Sequence, residues 1–216
     1  MTPIIDLTHL IAPGMPVFPG DDPPILERAA SVEADGFTTR SIRLNSHTGT
    51  HVDAPAHIIA GAPTLDAFPV SQFAGRATLI DVRGLAGRRI GVDVVKAHAA
   101  RVHEAEFVLF RSGWQQRWGD PSYFEDYPVL SDEAAGWLAG AGLKGVGVDM
   151  ISVDSLDSTS LPIHHILLGA GVLIIENLTH LDQLPTGSSF DFACYPLHLQ
   201  NADGAPVRAV ARVRTD

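Results

Sequence analysis

Cysteine is nearly absent: Cys194 is the only one among 216 residues. No disulfide can form within the chain, which fits a reducing compartment. Positive charge is also scarce. The 15 Lys and Arg stand against 25 Asp and Glu, for a formal net charge of −10. With no basic stripe to neutralise phosphates, nucleic acid is not an expected partner. Long apolar runs are missing too. Residues 166–175 form the longest strongly apolar stretch, ten residues with two glycines, whereas spanning a bilayer takes roughly 20. The opening MTPIIDLTHLIAPG lacks the basic and apolar regions of a signal peptide. The expected class is a cytoplasmic enzyme or binding protein, away from membranes.

Two familiar motifs fail. GAGLKG (140–145) matches GxGxxG, but a helical pattern precedes it and a strand pattern follows. Dinucleotide binding needs the reverse order, so the glycines read as a turn closing a helix. GxSxG does not occur, which removes the serine-hydrolase elbow. Cys194 sits in an apolar strand pattern and reads as core. Trp114, Trp118 and Trp137 read as packing residues.

Hydrophobic residues make up 45% and charged residues 19%, ordinary for one soluble globular domain spanning 1–216. The Pro- and Gly-rich opening to Pro24 reads as a long loop. Thr38 to Ser46 alternates apolar and polar residues, as a half-buried strand would. Further strand patterns cover 77–84, 106–113, 145–150, 172–178, 190–199 and 206–213. Helical patterns run from Val92 to Val102, from Ser131 to Leu143, and briefly near His164. The expected fold class is α/β with a mixed sheet.

What the chain does concentrate is histidine. SHTGTHVDAPAH (46–57) holds three of its ten histidines and an aspartate. Gly49 and Pro55 oppose a helix, so the backbone is expected to be extended, with alternate side chains sharing a side. His51, Asp53 and His57 then point together, and His47 joins them if the turn at Gly49 does not reset the parity. Imidazole nitrogen and carboxylate oxygen suit Zn²⁺ and are compatible with Mn²⁺. A second candidate region, LPIHHILLGAGVLIIENL (161–178), offers His164 or His165 on a helical turn and Glu176 within an apolar strand. A carboxylate buried there needs a partner or a cation.

HTGTHVDAPAH resembles the HxGTHxDxPxH signature of the bacterial cyclase-type metal hydrolases, which include kynurenine formamidases and isatin hydrolases. The likeness covers nearly the whole chain, from IDLTHLIAPGMPVFPGDDP (5–23) through GVGVDMISVDSLDS (145–158) to the closing APVRAVAR. It implies a compact swivelling β/α/β-type domain that assembles as a homodimer or larger oligomer. By the same resemblance, His47, His51 and Asp53 hold one metal, with Asp53 bridging to a second held by His164 and Glu176. One or two Zn²⁺ ions, or Mn²⁺, are the implied cofactors. His57 falls where the family has its acid/base, and Phe18 where relatives carry an aromatic against the substrate ring. The implied reaction is hydrolysis of an N-formyl arylamine by metal-activated water, as in tryptophan catabolism; opening of a cyclic amide or lactone is the rival. DMISVD (149–154) and IENL depart from the DTPSxD and LEG of the formamidases, which bears on the substrate.

Overall fold

The computed structural model describes residues 3–85 and 88–213, so the outermost residues of the expected 1–216 domain lie outside the description. In chain order, β1 (Ile4–Asp6) leads to an outlying ribbon of β2 (Ile25–Ala30) and β3 (Thr39–Arg43), joined by α1 (Val32–Asp35). Then come β4 (His51–Asp53), β5 (Ala74–Asp81), β6 (Arg89–Ile90), α2 (Val92–Lys96) and α3 (Ala99–His103). The remainder is β7 (Phe107–Arg111), β8 (Val129–Leu130), α4 (Asp132–Ala139), β9 (Gly145–Val148), α5 (Pro162–Gly169), β10 (Leu173–Glu176), β11 (Phe190–Pro196) and β12 (Gly204–Arg212).

The main sheet runs β1-β12-β11-β5-β7-β9-β10-β4, and β4 pairs again with the start of β12. That last pairing closes a seven-strand barrel, with β1 attached outside the ring. Strands β5, β7, β9 and β10 are parallel, while β4 and β11 run against their neighbours. The mixed α/β class is as expected; closure is a tertiary result.

Strand alternation sorts the apolar residues into two cores. Ala77, Leu79, Phe107, Leu109, Leu173 and Ile175 join residues of β4, β11 and β12 inside the barrel. Their neighbours Ile80, Val108, Phe110, Val146, Val148 and Ile174 face outward and pack beneath α2 to α5. The inside is full where β9 passes: a Cβ on Gly147 would lie 2.5 Å from Leu109 Cδ2, so the GVGV strand turns its glycines inward. Cys194 is fully buried in the inner core, as its setting predicts.

Several expectations need correction. Thr39–Arg43 is a strand but every residue in it is exposed, because among the described residues it pairs with β2 alone, outside the main sheet. The helix expected over Val92–Val102 is two short helices, broken at Ala97 and His98. The opening loop contains β1, whose edge hydrogen bonds to β12 are invisible locally. GAGLKG does close α4 and open β9, with Gly142 supplying the positive φ of 76°. Trp118 stacks on His9 with ring centroids 3.8 Å apart, and the Trp114 indole N–H donates to the Tyr123 carbonyl.

Candidate metal centre

Val52 points into the barrel, so His51 and Asp53 on either side of it emerge on the outer face. Strand β10 lies alongside, with Glu176 opposite His51 and Ile174 opposite Asp53. Helix α5 covers this patch from outside and lowers His164 onto it. The helix begins at Pro162, and the Asp154 carboxylate receives the backbone N–H groups of Ile163 and His164, both at 3.0 Å. His164 is therefore buried, whereas His165 is turned to solvent.

His57 reaches the same place by another route. It ends a short 3-10 turn over Pro55–His57, so the extended parity expected of it does not hold. Gly49, at φ 67°, also interrupts the strand before His47. The imidazoles meet nonetheless: His47 and His57 have ring centroids 4.0 Å apart, and His57 and His164 are 5.8 Å apart.

Asp53 is the centre. It has no solvent exposure. Its Oδ1 lies 2.8 Å from His47 Nδ1 and 3.2 Å from His51 Nε2. Its Oδ2 is buried without a hydrogen-bond partner among the described residues, 3.8 Å from His164 Nε2. Glu176 completes the group, with Oε2 at 3.5 Å from His51 Nε2 and Oε1 at 3.6 Å from His164 Nε2. Two sets of ligand atoms thus converge on Asp53, one with His47 and His51 and one with His164 and Glu176. A buried carboxylate whose one oxygen faces two imidazole nitrogens, and whose other oxygen has no hydrogen bond and a third imidazole 3.8 Å away, fits a divalent cation better than it fits a core.

The electrostatics agree. Burial raises the Glu176 pKa, and the nearby Asp53 charge adds to it, reaching about 7. Burial opposes ionisation of Asp53 as well, but His51 and His47 hold its carboxyl well below the usual range. For His47, burial disfavours the cation, yet Asp53 and Asp203 lift its pKa to about 9. Burial lowers that of His57. A bound cation would neutralise the two crowded carboxylates and take the place of the proton that Asp53 and Asp203 hold on His47.

A cavity of about 390 Å³ opens over these groups, lined also by Phe18, Asp21, Asn45 and Leu161. Phe18, His47, His51, His57, His164 and Glu176 border it, and Asp53 lies beneath it, whereas His165, the alternative to His164, does not. Three contributors escaped the sequence reading. Asp154 holds His164 Nδ1 at 2.7 Å. Asp203 holds His47 Nε2 at 3.0 Å. Asn177, at φ 58°, donates to the Gly49 carbonyl and receives the Tyr123 hydroxyl. The residue after Glu176 stands where IENL departs from LEG, and its left-handed backbone explains why Asn or Gly suits the position. Asp203 has no such local signal.

Residues 5–155 match the putative cyclase family. A kynurenine formamidase of Salinibacter ruber is 35% identical over 99% of both chains. Isatin hydrolase A of Ralstonia solanacearum is similar in structure, with a TM-score of 0.86 and 29% identity over 98% of this chain and 92% of that one. A potential metal-dependent hydrolase with cyclase activity superposes at a TM-score of 0.78, 29% identical over the full length of both. The chain belongs to the putative cyclase family.

Proposed function

We propose that this chain is a metal-dependent hydrolase that converts N-formyl-L-kynurenine and water to L-kynurenine and formate, a step of tryptophan catabolism. The carrying observation is Asp53: a fully buried carboxylate with one satisfied and one orphaned oxygen, between two sets of imidazole and carboxylate donors. In this reading His47, His51 and Asp53 hold one ion, and Asp53, His164 and Glu176 a second. Zn²⁺ suits the donor set best, and Mn²⁺ is the alternative. A divalent ion there supplies Lewis acidity, polarising a carbonyl oxygen and lowering the pKa of water toward about 7.

The protein's own groups do the rest. His57 borders the cavity and is only half-buried, so it can reach a substrate. Burial lowers its pKa, which keeps the imidazole neutral near pH 7 and ready to accept a proton from the attacking water. The same ring then delivers that proton to the departing arylamine nitrogen, a poor leaving group as an anion. Phe18 at the cavity wall offers a flat apolar face to the aromatic ring. Deep burial of His51 and Glu176 excludes bulk water from the floor.

The structural likeness to isatin hydrolase A favours one second reading, opening of a cyclic amide by the same groups. Metal analysis of the purified protein, followed by hydrolysis of N-formylkynurenine against isatin, separates the two. A protein that binds no divalent ion refutes both. We also read the chain as a single-domain cytoplasmic homodimer. Ile42 and Phe37, at 62% and 59% exposure on the outlying ribbon and its connection, support self-association. No described helix is long and apolar enough to cross a membrane.

A further inference from the structure

We infer that Asp203 and Gly204 form a seat for His47 and make Asp203 a positioning residue of the site. This rests on the metal reading above and adds a function to a dipeptide outside the ligand set.

Each imidazole assigned to a metal gives one nitrogen to the site and the other to a fixed oxygen. For His51 the fixed oxygen is the Gly49 carbonyl, 2.8 Å from Nδ1. For His164 it is Asp154, 2.7 Å from Nδ1. For His47 it is Asp203, whose Oδ2 lies 3.0 Å from Nε2 while Nδ1 faces Asp53. Such an anchor selects which nitrogen faces the ion and fixes the ring plane. His47 needs it most, because it precedes the strand and hangs from the turn at Gly49.

Gly204 supplies the other half. It pairs with Asp53 across β12 and β4 and faces outward, under the His47 ring. A Cβ there would lie 2.5 Å from His47 Cε1 and 2.8 Å from Nε2. The ring rests on bare backbone that any side chain would fill. The Asp203 carbonyl accepts the Ala54 N–H at 2.8 Å, which locks the seat to the strand bearing Asp53. Asp203 Oδ2 is also 3.8 Å from His57 Nδ1, so one carboxylate sets the spacing of a ligand and of the proposed acid/base.

The test measures divalent-ion affinity by chelator competition with Zn²⁺, and the visible absorption of Co²⁺ in the same site. Asp203→Ala and Gly204→Ala should each weaken Zn²⁺ binding by roughly 10–100-fold and alter the Co²⁺ spectrum, while Asp203→Asn, which keeps an acceptor, falls between. Ion-free melting temperatures report whether each variant still folds; should Asp203→Ala fail to, Asp203→Asn and Gly204→Ala carry the comparison. Wild-type affinity and an unchanged Co²⁺ spectrum in the variants overturn the seat while leaving the metal reading intact. Wild-type protein that binds neither ion overturns both.

Discussion

Glu176 stands directly across the β10–β4 pairing from His51, its Oε2 3.5 Å from His51 Nε2. With Asp53 two residues along, two carboxylates share one buried site. Burial and the Asp53 charge raise Glu176 to about 7, so without an ion this carboxylate is a burden. Glu176→Gln should leave the ion-free melting temperature unchanged or higher. It should also weaken Zn²⁺ binding by more than the roughly 10–100-fold typical of changing a residue behind a ligand. Calorimetry with and without chelator checks both parts; a variant that melts lower without ion and binds normally contradicts the assignment.

His57 belongs to neither set centred on Asp53, although it could join His47 and Asp203 in a third, partly exposed one. His57→Ala should therefore retain bound metal yet lose turnover of N-formylkynurenine by about 10²–10⁴-fold, the usual range for general acid–base groups. Turnover at the wild-type rate would remove His57 from the mechanism.

The ion-free protein should lose stability as pH rises from about 6.5 to about 9. Burial disfavours the His47 cation, but Asp53 and Asp203 raise its folded pKa to about 9. The folded chain therefore binds more protons than the unfolded chain over that window. The stabilisation is complete below the unfolded value near 6.5 and gone once pH passes the folded one. Its size is of the order of 1–3 kcal/mol. A bound cation takes the neutral ring instead, so saturating Zn²⁺ should flatten or reverse the slope. Thermal melts at several pH values with and without ion show the sign directly.

Asn177 ties the histidine-bearing loop to the barrel. Its amide donates to the Gly49 carbonyl, its side-chain oxygen accepts from Tyr123, and its carbonyl accepts from Thr50. Asn177→Ala strands the buried Tyr123 hydroxyl, leaves the Gly49 carbonyl with His51 alone, and forces a Cβ residue without local hydrogen bonding into a left-handed backbone at φ 58°. A loss of roughly 2–4 kcal/mol is expected, measured by urea unfolding. Asn177→Gly should cost less, since it removes the backbone strain.

The ligand types and most of the fold were legible in the chain itself. The parity of His51 and Asp53 survives because β4 is a true strand, and alternation is a property of backbone geometry alone. Glu176 stood out because a charge inside an apolar strand needs a reason. His57 was found without its correct backbone: a short 3-10 turn, not strand parity, brings it in. Asp203 left no trace, since it approaches His47 from 156 residues away. Thr38 to Ser46 reads as a half-buried strand because an alternating pattern does not say whether anything covers its apolar side.

By itself the sequence determined which donors exist, that His51 and Asp53 share a face, and that the chain is an α/β member of a metal-hydrolase-like family. Those features depend on residue type and near-neighbour geometry. Only the tertiary structure decided that the sheet closes into a barrel, that α5 packs over β4 from outside, and that Asp203 and Gly204 cradle His47. Each of these joins segments far apart in the chain, and such contacts are set by how layers pack, which no local pattern encodes.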